Sequence, residues 1–222
     1  TVGLDASGDT TAAVGPSGER IVIVNLCALA AGPASADPDA PASEAGFIVS
    51  KLDAAGVPRW TRRFAGSWRV EGVAVDGRGE ILLTGMLLGG VEIGGARLQS
   101  VGADAFVAKL DVLGNHRWSQ RFGDSYCQGK GVAVDPRGNV YVTGVFFGSA
   151  DLGAGPIEAR GALSMFVARL DAEGRAAWSK RFGGLSLTMG LGISVRELDR
   201  WVDAEAHLRD AIRDRARQRV QL

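Results

Sequence analysis

Gly131-Val-Ala-Val-Asp135-Pro-Arg-Gly138-Asn-Val-Tyr-Val-Thr-Gly144 is two short β-branched and aromatic runs on either side of Asp-x-x-Gly. Runs of this length and composition, bounded by Gly, Asp and Asn, are strand signals. The Asp can accept backbone N–H bonds at the head of a turn, and the Gly supplies the positive φ that closes it. The segment is therefore an antiparallel hairpin. Working outward, Phe166 to Asp171 and Ala177 to Phe182 repeat the pattern around a second turn, Asp171-Ala-Glu-Gly174.

The same order of landmarks occurs three times. Phe47-Ile-Val-Ser-Lys-Leu-Asp53, Ala105-Phe-Val-Ala-Lys-Leu-Asp111 and Met165-Phe-Val-Ala-Arg-Leu-Asp171 align, with their last aspartates 58 and 60 residues apart. Trp60, Trp118 and Trp178 follow, each leading into Arg-Phe. Gly72-Val-Ala-Val-Asp76 matches Gly131 to Asp135, and Thr11-Ala-Ala-Val-Gly15 is a degenerate first copy. Several landmarks on one period indicate three tandem units of about 59 residues. Four consecutive antiparallel strands per unit make one β-propeller blade. The long connection between second and third strands runs Ala30–Gly46, Met86–Asp104 and Val145–Ser164, and is read as loop lining one face.

The ordered set Gly-Val-Ala-Val-Asp-x-x-Gly-Asn-Val-Tyr-Val-Thr-Gly, Phe-Val-Ala-Arg-Leu-Asp-x-x-Gly and Trp-Ser-Lys-Arg-Phe-Gly resembles the bacterial SBBP-type β-propeller repeat over roughly residues 3–195. The resemblance implies propeller blades, an exported or cell-surface setting, and no shared catalytic residues. The fold expected is all-β: a partial β-propeller of three four-stranded antiparallel blades followed by a C-terminal α-helix. Blade 1 is placed at 1–65, blade 2 at 66–122, blade 3 at 123–184, a linker or the start of a fourth blade at 185–195, and the helix at 196–222.

The change near 185 is compositional. Of 32 glycines, 30 precede Leu185, and Arg196 to Arg219 holds seven Arg and six acids without Pro. Ser194 and Glu197 have capping-box spacing, and Leu198, Val202, Leu208 and Ile212 form an apolar stripe that Trp201 widens. Leu198, Trp201, Leu208 and Ile212 are therefore the candidate partner-binding residues. A docking or oligomerisation helix, an adaptor from another domain, and a reading-frame change replacing blade four all fit this tail.

Composition narrows the function. The 222 residues carry 25 basic and 25 acidic side chains, which argues against a nucleic-acid or anionic-lipid face. No apolar run reaches membrane-spanning length. Two Cys and two His leave little for a disulfide scaffold or for metal chemistry, so no catalytic residues, cofactor or metal site are expected. Each Asp-x-x-Gly offers one carboxylate where a calcium loop needs several oxygens. Trp60, Trp118 and Trp178 are candidate sugar-stacking residues, although repetition in every unit favours packing between blades. Arg63, Arg121 and Arg181 are expected to pair with a neighbouring blade. The function expected is a non-enzymatic binding or assembly scaffold, extracellular or at the cell surface by resemblance alone. The alternative is a lectin-like carbohydrate-binding module. A row of three blades leaves two end faces, so a protein partner or self-association is expected, most simply as a six-blade dimer.

Overall fold

A computed structural model describes residues 10–26, 45–123, 126–182 and 193. These residues contain strands and turns and no helix. The expected helix at 196–222 with Leu198, Trp201, Leu208 and Ile212, most of 185–195, Cys27 and nearly all of the 30–46 connection lie outside the described residues.

Three antiparallel meanders follow one another. The first is β1 (Thr10–Val14), β2 (Arg20–Leu26), β3 (Gly46–Leu52) and β4 (Pro58–Ala65), in that spatial order. The second is β5 (Trp68–Val75), β6 (Ile81–Ile93), β7 (Ala96–Leu110) and β8 (His116–Phe122). The third uses β9 (Tyr126–Val134), β10 (Val140–Phe147), β13 (Ser164–Leu170) and β14 (Ala176–Phe182), with the short hairpin β11 (Ser149–Asp151) and β12 (Pro156–Glu158) inserted. A single parallel pair, Ala103 with Tyr126, links the second meander to the third. Each outer strand pairs with its neighbour through a bulge at the same place, between Lys51 and Leu52, Lys109 and Leu110, and Arg169 and Leu170. An extra residue there bends and twists the strand.

Strand alternation assigns the faces. In the middle meander Ile81, Leu83, Phe106, Ala108 and Leu110 pack with Ile21, Ile23, Phe47 and Val49 of the first. Their chain neighbours Leu82, Ala105 and Val107 point the other way and pack with Val140, Val142, Phe166 and Ala168 of the third. Successive strand residues face opposite sides, so a sheet held between two others needs apolar residues at every position. That is why β6 opens Ile-Leu-Leu and β7 reads Ala-Phe-Val-Ala. Trp68 fills the first interface, edge-on to Phe47 at 4.7 Å and 5.5 Å from Phe106 between ring centres. Asn25 bridges the same interface, donating to the Val70 carbonyl and accepting from the Val70 N–H, both at 2.8 Å.

The connections expected as loops are partly strand. Beyond Leu88, β6 and β7 continue as a hairpin closed by Gly94-Gly95, with φ of 56° and 93°. Positive φ at both central residues gives the turn that matches strand twist. Val91 and Ile93 of this extension are buried in the first core, and Ala150 and Leu152 of the inserted hairpin are buried in the second. The apolar residues that make these segments fold back are spaced two apart among glycines, and the glycine density masked them in the sequence.

Candidate functional site: the seams between meanders

The repeated aspartates are turn residues. Asp111 Oδ1 accepts the N–H groups of Leu113 and Asn115, both at 2.8 Å, and the Asn115 amide donates to Oδ2 at 2.9 Å. Asp76, Asp135 and Asp171 accept from the residues two and four further on in the same way. Burial alone would raise the Asp111 carboxyl, but the bonds from Asn115 and Leu113 and the charge of Arg117 hold it below the usual range. The first unit keeps Asp53 at the position of Asp111 but has Gly15 at the position of Asp76 and Asp135. A Cβ at Gly15 would run into the Glu19 carboxylate, and Glu19 accepts the Ser17 N–H at 2.9 Å. Glu19 thus supplies the missing turn carboxylate from the far side of the turn. Among the described residues no three His, Cys, Asp or Glu side chains group as a metal site would require.

Lys109 is the charged residue that sequence reasoning missed. Its ammonium lies 3.0 Å from Asp76 and 2.8 Å from Glu80, with the side chain 7% exposed. Burial works against the charge, yet the two carboxylates outweigh it and the Lys109 pKa is raised. Asp76 is correspondingly lowered, its burial overcome by Lys109 and the N–H groups of Glu80 and Arg78. The signal was present in the sequence: alternation places Lys109 on the same face as Val107, where an unpaired charge is costly. Lys51 stands in this position in the first unit, 4.0 Å from Glu19.

The tryptophans lie at the seams. Trp60 Nε1 donates to the Val112 carbonyl at 3.0 Å, and Trp118 Nε1 donates to the Ala172 carbonyl at 3.1 Å. Both acceptors directly follow the turn aspartate of the next meander. The rings also rest on the turn glycine there. A Cβ on Gly114 would meet Trp60 at 2.9 Å, and one on Gly174 would meet Trp118 at 2.7 Å. Arg62, two residues after Trp60, adds bonds to the Leu113 carbonyl at 3.0 Å and the Asn115 side chain at 2.9 Å. Trp178 instead has Tyr141 edge-on at 6.4 Å and the Lys180 ammonium 5.6 Å from its ring centre.

Nearer the inner strands, Glu71 gathers Arg69 at 2.9 Å, Lys130 at 3.6 Å and the Gln128 amide at 3.0 Å, tying β5 to β9. Gly72 and Gly131 bring the same strands together, since a Cβ on Gly72 would meet the Gly131 Cα at 3.0 Å. Arg121 differs from expectation: its carboxylate partner is buried Asp104 of its own unit at 2.7 Å, and it also donates to the Gly123 carbonyl two residues on at 2.5 Å. His116 bonds Ser119 at 3.1 Å, and burial lowers its pKa. Cys127 is buried in the second core.

Three open cavities border the seams. One of about 290 Å³ lies between the turns of the second and third meanders, lined by Asp76, Arg78, Lys109, Asp135, Arg137 and Ala172 among others. Another of about 350 Å³ lies where the β6–β7 tip approaches Arg62 and Arg63, and a third of about 200 Å³ is framed by Asn25, Trp68 and Leu88. In the first two, the lining is polar turn and strand-end surface without a nucleophile beside a base.

No curated protein matches the chain. Residues 117–145, from Arg117 in β8 through the Asp135 turn to Val145 in β10, match the family described as SBBP, the beta-propeller repeat. The chain therefore carries a β-propeller repeat, centred on the Trp118 strand and the hairpin that follows it.

Proposed function

We propose that the chain is a segment of three propeller blades acting as a non-enzymatic binding or assembly scaffold outside the cell or on its surface. The observation that carries this reading is the commitment of the repeated polar groups to structure. The turn aspartates hold backbone N–H groups, Lys109 is held by two carboxylates, and Trp60 and Trp118 are spent on the seams. A catalytic site needs an acid, base or nucleophile poised in a cleft, whereas the shifts of Asp76, Lys109, Asp111 and Asp171 trace to turns and ion pairs.

The lectin-like alternative draws its support from Trp178, whose indole N–H has no hydrogen bond among the described residues and whose ring is half-buried. Two experiments separate the readings. Proximity labelling from the tagged protein in its own cell should recover a protein partner, and fractionation should find the chain at the surface or in the medium. Glycan-array binding that disappears in Trp178→Ala, with the fold preserved, would replace the scaffold by the lectin.

A further inference from the structure

The two turns that flank the seam between the second and third meanders carry the same side chain. Asp76-Gly-Arg78-Gly79 and Asp135-Pro-Arg137-Gly138 place an arginine at the third turn position, where Gly15-Pro-Ser17-Gly18 has serine. Both arginines are exposed, and among the described residues neither guanidinium enters a hydrogen bond or an ion pair. They border the cavity of about 290 Å³ together with Lys109 and Ala172. Asp76 and Asp135 line it too, but their oxygens are taken up. Asp76 holds the N–H groups of Arg78 and Glu80 and the Lys109 ammonium. Asp135 holds the N–H groups of Arg137 and Asn139 and the Asn139 amide. Lys109 is answered by Asp76 and Glu80, so the charges left for a ligand are the two arginines.

The equivalent place at the first seam is filled. A Cβ on Gly79 would meet Glu19, Val112 and the Lys51 ammonium at 3.4, 3.5 and 3.6 Å, and Lys51 donates to the Gly79 carbonyl at 3.5 Å. A Cβ on Gly138 would meet Ala172 alone among the described residues, at 3.3 Å. Two differences open the second seam. Ala172 stands where the first has the larger Val112, and Lys109 turns to carboxylates of its own meander instead of crossing as Lys51 does. We infer that this cavity receives an Asp or Glu carboxylate from an acidic segment of a partner protein, held between the Arg78 and Arg137 guanidiniums. The inference rests on the scaffold reading and gives the scaffold's partner its chemistry. The planar guanidinium fork binds a carboxylate through paired N–H···O bonds, and clustered arginines recognise acidic motifs. An acidic peptide is favoured over an acidic sugar because no described lining residue is aromatic, and a sugar ring is gripped by an aromatic face.

The test is fluorescence anisotropy of a labelled, end-capped tetraglutamate peptide titrated with the full chain at low salt. Saturable binding is expected, weakening as salt screens the ion pairs. Arg78→Ser, which copies the first seam, and Arg137→Ser are each expected to raise the dissociation constant about tenfold, as loss of a hydrogen bond to a charged group does. Ala172→Val narrows the cavity toward the first seam and leaves the charge unchanged, so it should weaken binding as well. Arg97→Ser removes an exposed arginine of the β6–β7 hairpin and should change nothing. Circular dichroism confirms that each variant is folded. Absence of saturable binding overturns the inference. So does equal weakening by Arg97→Ser, which would make the attraction diffuse, or an Ala172→Val variant that binds like wild type. Tighter binding of tetragalacturonate than of the peptide overturns it too, by assigning the cavity to a glycan. Proximity labelling that recovers one protein partner equally with wild type and with the double variant Arg78→Ser, Arg137→Ser would overturn the site and leave the scaffold reading standing.

Discussion

Replacing Trp118 by Ala removes a seam residue whose contacts are on both sides of it. The indole donates to Ala172 at 3.1 Å and its six-membered ring is stacked over Gly174. A tryptophan buries about 150–250 Å² when enclosed. Trp118 is half-buried, so about 100 Å² returns to water, worth about 2.5 kcal/mol at ~25 cal/mol per Å². The lost hydrogen bond adds about 1 kcal/mol. The expected cost is therefore about 3 to 4 kcal/mol by these area and hydrogen-bond scales. Trp118→Phe keeps most of the ring and leaves the Ala172 carbonyl without its donor, and should cost about 1 kcal/mol. Trp178→Ala also returns a half-buried ring to water, but it loses no hydrogen bond to a described turn carbonyl, so it should cost about 1 kcal/mol less than Trp118→Ala. Urea unfolding at sub-micromolar protein, where association is negligible, measures all three. Equal losses for Trp118→Ala and Trp178→Ala would refute the reasoning, because the two residues share a repeat position and, among the described residues, differ in the indole bond to a turn carbonyl.

Asp135→Ala frees the N–H groups of Arg137 and Asn139 and the Asn139 amide; a melting scan should show a loss of about 2 kcal/mol, and calcium should shift neither protein. Lys109→Met leaves Asp76 and Glu80 buried together without their cation, and denaturation at neutral pH should show a loss of about 3 kcal/mol. Asp76, Asp111 and Asp171 have lowered pKa values, so their stabilisation is complete above about pH 4 and is lost as pH falls through the folded values. Lys109 has a raised one; its contribution holds below about pH 10.4 and is lost as pH rises through its folded value. A pH series of unfolding free energies should therefore be flat in the middle and fall at both ends, with a shallower acid limb in Lys109→Met. Gly15→Asp should destabilise by collision with Glu19, while Gly15→Asp with Glu19→Asn, which recreates the Asp111–Asn115 pairing, should recover most of the loss in the same melts.

What the sequence determined by itself was local and periodic. Alternation and Asp-x-x-Gly placed the strands and turns because a strand face repeats every two residues and a turn is closed by atoms within five positions of one another. The period of about 59 residues then told that Trp60, Trp118 and Trp178 hold one role, and favoured a place between units. Tertiary structure decided what that place is. Val112 and Ala172 are 52 and 54 residues from the tryptophans they accept from, and a backbone carbonyl has no residue type to advertise it. It also decided that Lys109 sits between two carboxylates of its own unit, that Arg121 turns inward to Asp104, and that the glycine-rich 86–104 connection folds back as a hairpin. Each depends on which side chains and segments the packed chain brings together, and burial, unlike strand periodicity, is a property of the packed neighbours rather than of the segment.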